Sequence, residues 1–427
     1  MPTPVTNDSQ RSTVPGDWLT AFLLLTYPAL AMLVHGGASA MTIGVAVLSM
    51  AALFLRPAGT PYGYARPEGL GLATCIALIV PLAAVALSTL SHGHPLIRTW
   101  DSPSRFLLTI LVFLVLRRAP QPVLSWADLS FTLGALAALA ITLVMPRDWG
   151  DGRVGSAFLN PIHFGDLSLA LGVLSAVALN WWRKDKAFVR VLKIAGLFAG
   201  LAASLVSGAR GGWLAIPIVA VLILWERGRG KSVHWKVLMP VAIAALLALV
   251  YGSSGTVRDR IDMISSDLTQ YTHGNRDTSV GVRLQLYDAA CELIRQHPVL
   301  GLGGDGFRDA MNSLARQGAL TPLAAQFGEG ETHNQLLAYL VNYGAVGGIA
   351  LLAIYIVPAV FFASRLKSAS ATARRTALMG LSFVVMFFVF GLTVETFDLK
   401  STVSFYAGML AVLAAIVDRM DILSDPT

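Results

Sequence analysis

The sequence predicts an all-α, polytopic membrane protein of about twelve transmembrane helices with one large helical insert on its outer side. Three observations predict it. The 427 residues are 55% hydrophobic and only 13% charged, where a soluble domain carries about a quarter. Apolar runs long enough to span a bilayer recur along most of the chain. One polar stretch, from about Tyr251 to His333, is too long and too polar to cross and must lie on one side.

In chain order, residues 1–17 are polar with one Arg and read as a retained cytoplasmic tail. Spanning runs follow at 18–34, 38–55, 70–90, 104–118, 128–145, 163–182, 191–207, 212–226 and 235–251, giving helices 1–9 over 18–251. The insert occupies 252–333. Runs at 334–362, 376–394 and 402–418 give helices 10–12 over 334–418, and 419–427 form a second cytoplasmic tail.

Lys and Arg decide the sides. Alternate short loops hold Arg56 and Arg66, Arg117 and Arg118, Arg183 to Arg190, Arg227 to Lys236, and Arg365 to Arg375. The opposite loops hold only Arg98, Arg105, Arg147, Arg153, Arg210 and Lys400. The richer set belongs in the cytoplasm. The insert, the loop with Arg153 and Asn160, the turn with Arg210, and the loop with Glu395, Asp398 and Lys400 then share the outer face.

Within the insert, Thr278 or Ser279 can cap a helix to about Gln296, with Leu286, Ala290, Leu293 and Ile294 at helical spacing. His297-Pro298 ends it. A glycine-rich turn at 301–306 leads to a second helix over Phe307–Gln317, with Gly318 as its cap.

The net charge of +7 is first a topology signal, and nothing resembles a nucleic-acid module. Cys75 and Cys291 lie in unlike segments and suggest no disulfide. The turn at 301–306 lacks the Gly-Lys-Ser/Thr of a phosphate loop. No cytosolic loop is long enough for a nucleotide domain, so a nucleotide sugar is not the expected donor and no cofactor is expected. Glu329, Glu331 and His333 alternate, but there is no HExxH or Asp-x-Asp pair, so no metal site is predicted.

Three residues can carry chemistry. Thr332 and Gln335 have capping-box spacing, which would make His333 the first residue of an outer helix end. The helix dipole disfavours an imidazolium there and attracts anions, and a neutral imidazole can act as a base. The bland alternative is an interfacial histidine bonded to backbone. Arg210 sits in the tight turn Ser207-Gly-Ala-Arg-Gly-Gly212, where its planar fork can bind phosphate or merely snorkel to headgroups. Arg283 falls in the first turn of the insert helix, a locally unfavourable place for a cation, which suggests an anionic partner or else a solvated face.

At these residues the chain resembles the O-antigen ligase family, within the superfamily of ligases and polymerases of bacterial surface polysaccharides. The matching pieces are Arg153-Val-Gly-Ser-Ala-Phe-Leu-Asn160-Pro161, Ser207-Gly-Ala-Arg210-Gly-Gly-Trp213, Val282-Arg283-Leu-Gln-Leu-Tyr287, Pro298-Val-Leu-Gly301-Leu-Gly303, and His333-Asn334 followed by Tyr343-Gly344-Ala-Val-Gly347. The resemblance covers roughly 150–418 in motif and the whole chain in topology.

It implies a membrane-embedded, GT-C-like glycosyltransferase, inverting and metal-independent, in the bacterial inner membrane with its site and insert facing the periplasm. The implied donor is an O-antigen on undecaprenyl pyrophosphate and the implied acceptor a lipid A–core sugar. His333 matches the family's catalytic histidine, and Arg210 and Arg283 its essential arginines. Arg153, Asn160, Asn334 and Glu331 are secondary site candidates. The physical reading agrees: arginines can stabilise a departing pyrophosphate, and a neutral histidine can take the proton of an attacking hydroxyl. Rival readings are an O-antigen polymerase, a protein O-oligosaccharyltransferase and, from another class, a transporter. Charges at helix ends rather than mid-membrane argue against the last.

Overall fold

The computed structural model describes residues 15–55, 67–93, 97–150, 152–228, 241 and 265–424. Among these the protein is helical almost throughout, with one two-stranded antiparallel ribbon of Arg147–Asp148 and Val154–Gly155. It is an all-α polytopic membrane protein.

The first half comprises α1 (Pro15–Leu33), α2 (Gly37–Leu55), α3 (Gly69–Ser91), α4 (Ile97–Leu116), a short α5 (Gln121–Leu124) leading into α6 (Ser130–Val144), α7 (Pro161–Val177), α8 (Ala187–Ser207) and α9 (Ala215–Arg227). The insert contributes α10 (Ser279–Gln296), α11 (Gly306–Arg316) and α12 (Pro322–Gly328). The chain closes with α13 (Gln335–Arg365), α14 (Ala371–Phe390) and α15 (Lys400–Ser424). Eight helices are long and apolar enough to cross a membrane, and three shorter apolar ones join them, among the described residues. Eleven of the twelve predicted runs therefore fall on helices. The ninth, 235–251, lies outside the described residues apart from Val241, as does the start of the insert, 252–264.

The bundle packs by small residues and by aromatic filling. Gly172 of α7 and Gly200 of α8 approach so closely that a Cβ on Gly200 would lie 2.6 Å from the Gly172 Cα. Such contact lets backbones gain dispersion where lipid offers no hydrophobic drive. Phe383, Phe387, Phe405 and Tyr406, all fully buried, fill the seam of α14 and α15. At the bundle end away from the insert, charges are buried as pairs. Arg117 meets Asp418 at 2.6 Å, and Lys193 meets Asp128 at 2.8 Å and Asp185 at 3.1 Å. Pairing is what makes such burial tolerable.

The insert has its own small core. Leu286, Met311 and Ala324 pack with Val341 of α13. The first insert helix starts as expected, with the Thr278 side chain accepting from Gly281 N–H. The predicted second helix begins and ends one residue earlier. The short α12 is additional: Thr321 caps it by accepting from Ala324 N–H, and Pro322 occupies its first position, where a missing N–H costs nothing.

The insert also docks by backbone. Helix α13 is broken at Gly344, whose φ is +63° and ψ −158°. The turn Pro298–Gly303 fills the break. Ala345 N–H donates to Pro298 O (2.8 Å), Leu302 N–H to Val341 O (2.9 Å) and Gly303 N–H to Asn342 O (2.9 Å). Ser88 of α3 adds a hydroxyl bond to Leu300 O at 2.6 Å. Backbone groups freed inside a membrane helix must find partners, and here the insert supplies them.

Candidate functional site

The site forms where the insert runs into α13. Asn334, not Thr332, caps this helix. Its side chain accepts from Leu336 N–H (3.0 Å) and Leu337 N–H (3.1 Å), and the helix begins at Gln335. The expected capping box is therefore not formed. His333 is not the first helical residue but precedes the cap, with a left-handed φ of +58°. The reason is that both box residues are committed elsewhere. Thr332 bonds Glu395. Gln335, buried, accepts through Oε1 from Phe397 N–H (2.7 Å) and donates its backbone N–H to Gly391 O (2.7 Å).

Positive φ is uncommon for a residue with a Cβ and is found where surrounding contacts enforce it. Those contacts hold His333 from both sides. The Tyr287 hydroxyl of α10 donates to His333 O at 3.1 Å. Glu331 Oε1 lies 2.8 Å from His333 Nδ1. The two atoms are close but not aligned as a hydrogen bond. His333 Nε2 makes no hydrogen bond to any described residue.

Two carboxylates behave differently here. Burial pushes the Glu331 carboxyl up, but contacts with His333, His163 and the Glu395 backbone N–H outweigh it and leave it below its ordinary value. Glu395, in the connection between α14 and α15, is pushed up to about 8 by burial, against the pull of its Thr332 bonds. The two lie close together: Glu331 Oε2 accepts from Glu395 N–H at 3.2 Å. Two neighbouring carboxyls driven apart in this way give one ionised and one mostly protonated group at neutral pH.

The remaining predicted residues gather around this knot. Asn160 caps α7, accepting from His163 N–H at 3.0 Å, and its Oδ1 lies 2.9 Å from His163 Nδ1. His163 Nε2 in turn lies 3.2 Å from Glu395 O. Asn160 thus acts on the site through His163. Arg283 is half-buried and forms no hydrogen bond or ion pair with a described residue. It sits one turn before Tyr287 and close enough for its charge to act on that hydroxyl.

Arg210 is exposed on its turn. The adjoining Gly211 lies flat against Thr393, two residues before Glu395, where a Cβ would meet the Thr393 Oγ1 at 2.4 Å. Arg153 packs beside Gly208 of the same turn. The four outer segments that the charge pattern put on one face therefore meet at one end of the bundle.

Glu395, His163, Tyr287 and Gln335 were not singled out as site residues by sequence. An acid in a short loop between apolar runs is the only signal Glu395 leaves. Among the described residues, no three His, Cys, Asp or Glu side chains converge as metal ligands.

A cavity of about 660 Å³ is lined in part by Glu395 and Gln335. Asp398, Tyr339, Tyr343, Arg308 and Lys400 line it, with Ser39 and Ser401 from α2 and α15. Neither His333, Arg210 nor Arg283 lines it.

Residues 194–352 match the family model described as O-antigen ligase. That segment includes Arg210, Arg283 and His333. The chain is also 25% identical over 295 residues to an uncharacterized protein of Haemophilus influenzae, covering 68% of this chain and 72% of that one. It is 24% identical over 190 residues to the O-antigen ligase of Escherichia coli, and this match spans 44% of each protein.

Proposed function

We propose that the chain, which is similar to the O-antigen ligase family over residues 194–352, transfers a glycan from undecaprenyl pyrophosphate to a lipid A–core sugar at the periplasmic face of the inner membrane. The observation that carries this reading is His333 itself. It is strained at φ +58°, paired with Glu331 through Nδ1, and open at Nε2. A ring with a carboxylate beside one nitrogen can take a proton on the other, and the carboxylate stabilises the charge that forms.

In the proposed reaction the acceptor hydroxyl oxygen attacks the anomeric carbon of the donor. The bond from that carbon to the phosphate oxygen breaks, and its electron pair leaves with the pyrophosphate. The hydroxyl proton passes to His333 Nε2. A single displacement inverts the anomeric centre. Arg210 and Arg283 bind the pyrophosphate and stabilise its growing charge, the role a metal plays in other phosphate chemistry. Arg283 supports this by having no partner among described residues. Arg153, which packs beside the Arg210 turn, belongs to the same proposed phosphate end. The described part of the insert, 265–333, is proposed to lie on the periplasmic side beside the site.

The test is product identification. Purified protein receives a lipid-linked glycan donor with either lipid A–core or a second lipid-linked glycan as acceptor. Transfer to lipid A–core supports the ligase reading. Elongation of the lipid-linked chain alone would replace it with the polymerase reading.

A further inference from the structure

We propose that the 660 Å³ cavity lined in part by Glu395 is a subsite for a neutral, hydroxyl-rich saccharide, the acceptor's sugar rings rather than the donor's pyrophosphate. The assignment of that saccharide as acceptor rests on the transfer reaction above. The cavity has the size of a small-ligand pocket, about 300–1,000 Å³.

Its chemistry favours hydroxyls over anions. The cations on its wall are already matched. Arg105 and Lys400 share Asp101, at 2.7 and 2.5 Å. Arg308 pairs with Asp305 at 3.3 Å and donates to Glu329 O at 2.7 Å. By contrast, the Tyr339 and Tyr343 hydroxyls and the Asp398 carboxylate make no hydrogen bond to any described residue. A carboxylate and two phenols offer the acceptors and donors that hydroxyls need, and no net positive cradle for a phosphate. The Tyr339 and Tyr343 rings meet edge to face, 5.5 Å between centroids, and give the wall an aromatic surface.

Position supplies the second argument. Glu395 and Gln335 form a shared wall. Both line the cavity, and Glu395 also bonds Thr332, the neighbour of His333. The Arg210 turn abuts Thr393 and is absent from the cavity. A saccharide held there lies next to the segment that carries His333, with the phosphate end left for the donor.

The test measures equilibrium binding of a neutral outer-core oligosaccharide, free of lipid, sugar acid and phosphate, to the purified full chain by calorimetry. The variants are Asp398→Ala, Tyr339→Phe and Ser401→Trp, the last filling the cavity, each checked for wild-type melting and elution. Binding to the wild type is expected. Asp398→Ala and Ser401→Trp should weaken it at least tenfold, and Tyr339→Phe several-fold. The donor's affinity should be unchanged in all three cavity variants. No binding by the wild type, binding indifferent to the cavity variants, or donor affinity lost with them would each overturn the subsite. The reaction itself fails separately: a wild type that binds the saccharide in this pattern but transfers nothing leaves the subsite standing and removes the proposed transfer.

Discussion

Glu395 Oε1 accepts from Thr332 twice, from the backbone N–H at 2.5 Å and from the hydroxyl at 2.9 Å. This clamp joins the connection after α14 to the strand of chain that carries His333. It also has a titration of its own. The Glu395 carboxyl is raised to about 8 by burial, so the folded protein holds a proton that the unfolded chain loses near pH 4.5. Stability from this group is full below the unfolded value and is lost as pH rises through about 8. Glu395→Gln keeps an acceptor for Thr332 and cannot ionise. Its melting temperature should therefore fall less than that of the wild type between pH 5 and 9. Parallel profiles for the two proteins would show that Glu395 is ionised throughout.

His333→Ala should lower single-turnover transfer by about 10²–10⁴-fold, the usual contribution of a general base. Donor affinity should survive, because Arg210 and Arg283 remain. Near-normal transfer would move the base elsewhere. Loss of donor binding would place His333 in the phosphate site instead.

Lysine at position 210 or 283 keeps the charge and loses the planar fork. Arg210→Lys and Arg283→Lys should each raise the donor's dissociation constant, by roughly tenfold for a lost bidentate contact, at unchanged protein level. Unaltered donor affinity in both variants would rule out bidentate binding, though not a need for charge.

Gly344→Ala tests the docking of the insert. A Cβ there would lie 2.2 Å from the Val299 carbonyl carbon, at a φ of +63° that other residues rarely adopt. Backbone strain of this kind costs on the order of 1–3 kcal/mol, and the clash adds to it. The variant should melt earlier, and protease should cut the insert faster. Equal protease resistance would mean that the turn at 298–303 is not held by the break in α13.

The periplasmic placement of the insert is tested by cysteine labelling in intact cells. In a protein whose Cys75 and Cys291 are replaced by Ser, a cysteine replacing Arg283 should react with an impermeant reagent, and one replacing Arg374 only after lysis. The reverse pattern would invert the proposed topology.

The fold class was legible in the sequence because a bilayer imposes length and polarity on every spanning segment. Eleven of twelve apolar runs became helices for that reason alone. The shared face of Asn160, Arg210, His333 and Glu395 was legible too, since helix parity and cation counts fix which ends lie together. What parity cannot say is which of those ends touch. The capping box at Thr332 and Gln335 is a local pattern, and it lost to partners 60 or so residues away, Glu395 and Phe397. The left-handed φ of His333, the paired carboxyls of Glu331 and Glu395, and the cavity at Glu395 arise only when α13, α14 and the insert are packed. Each depends on side chains meeting across long sequence separations, which helical periodicity does not encode.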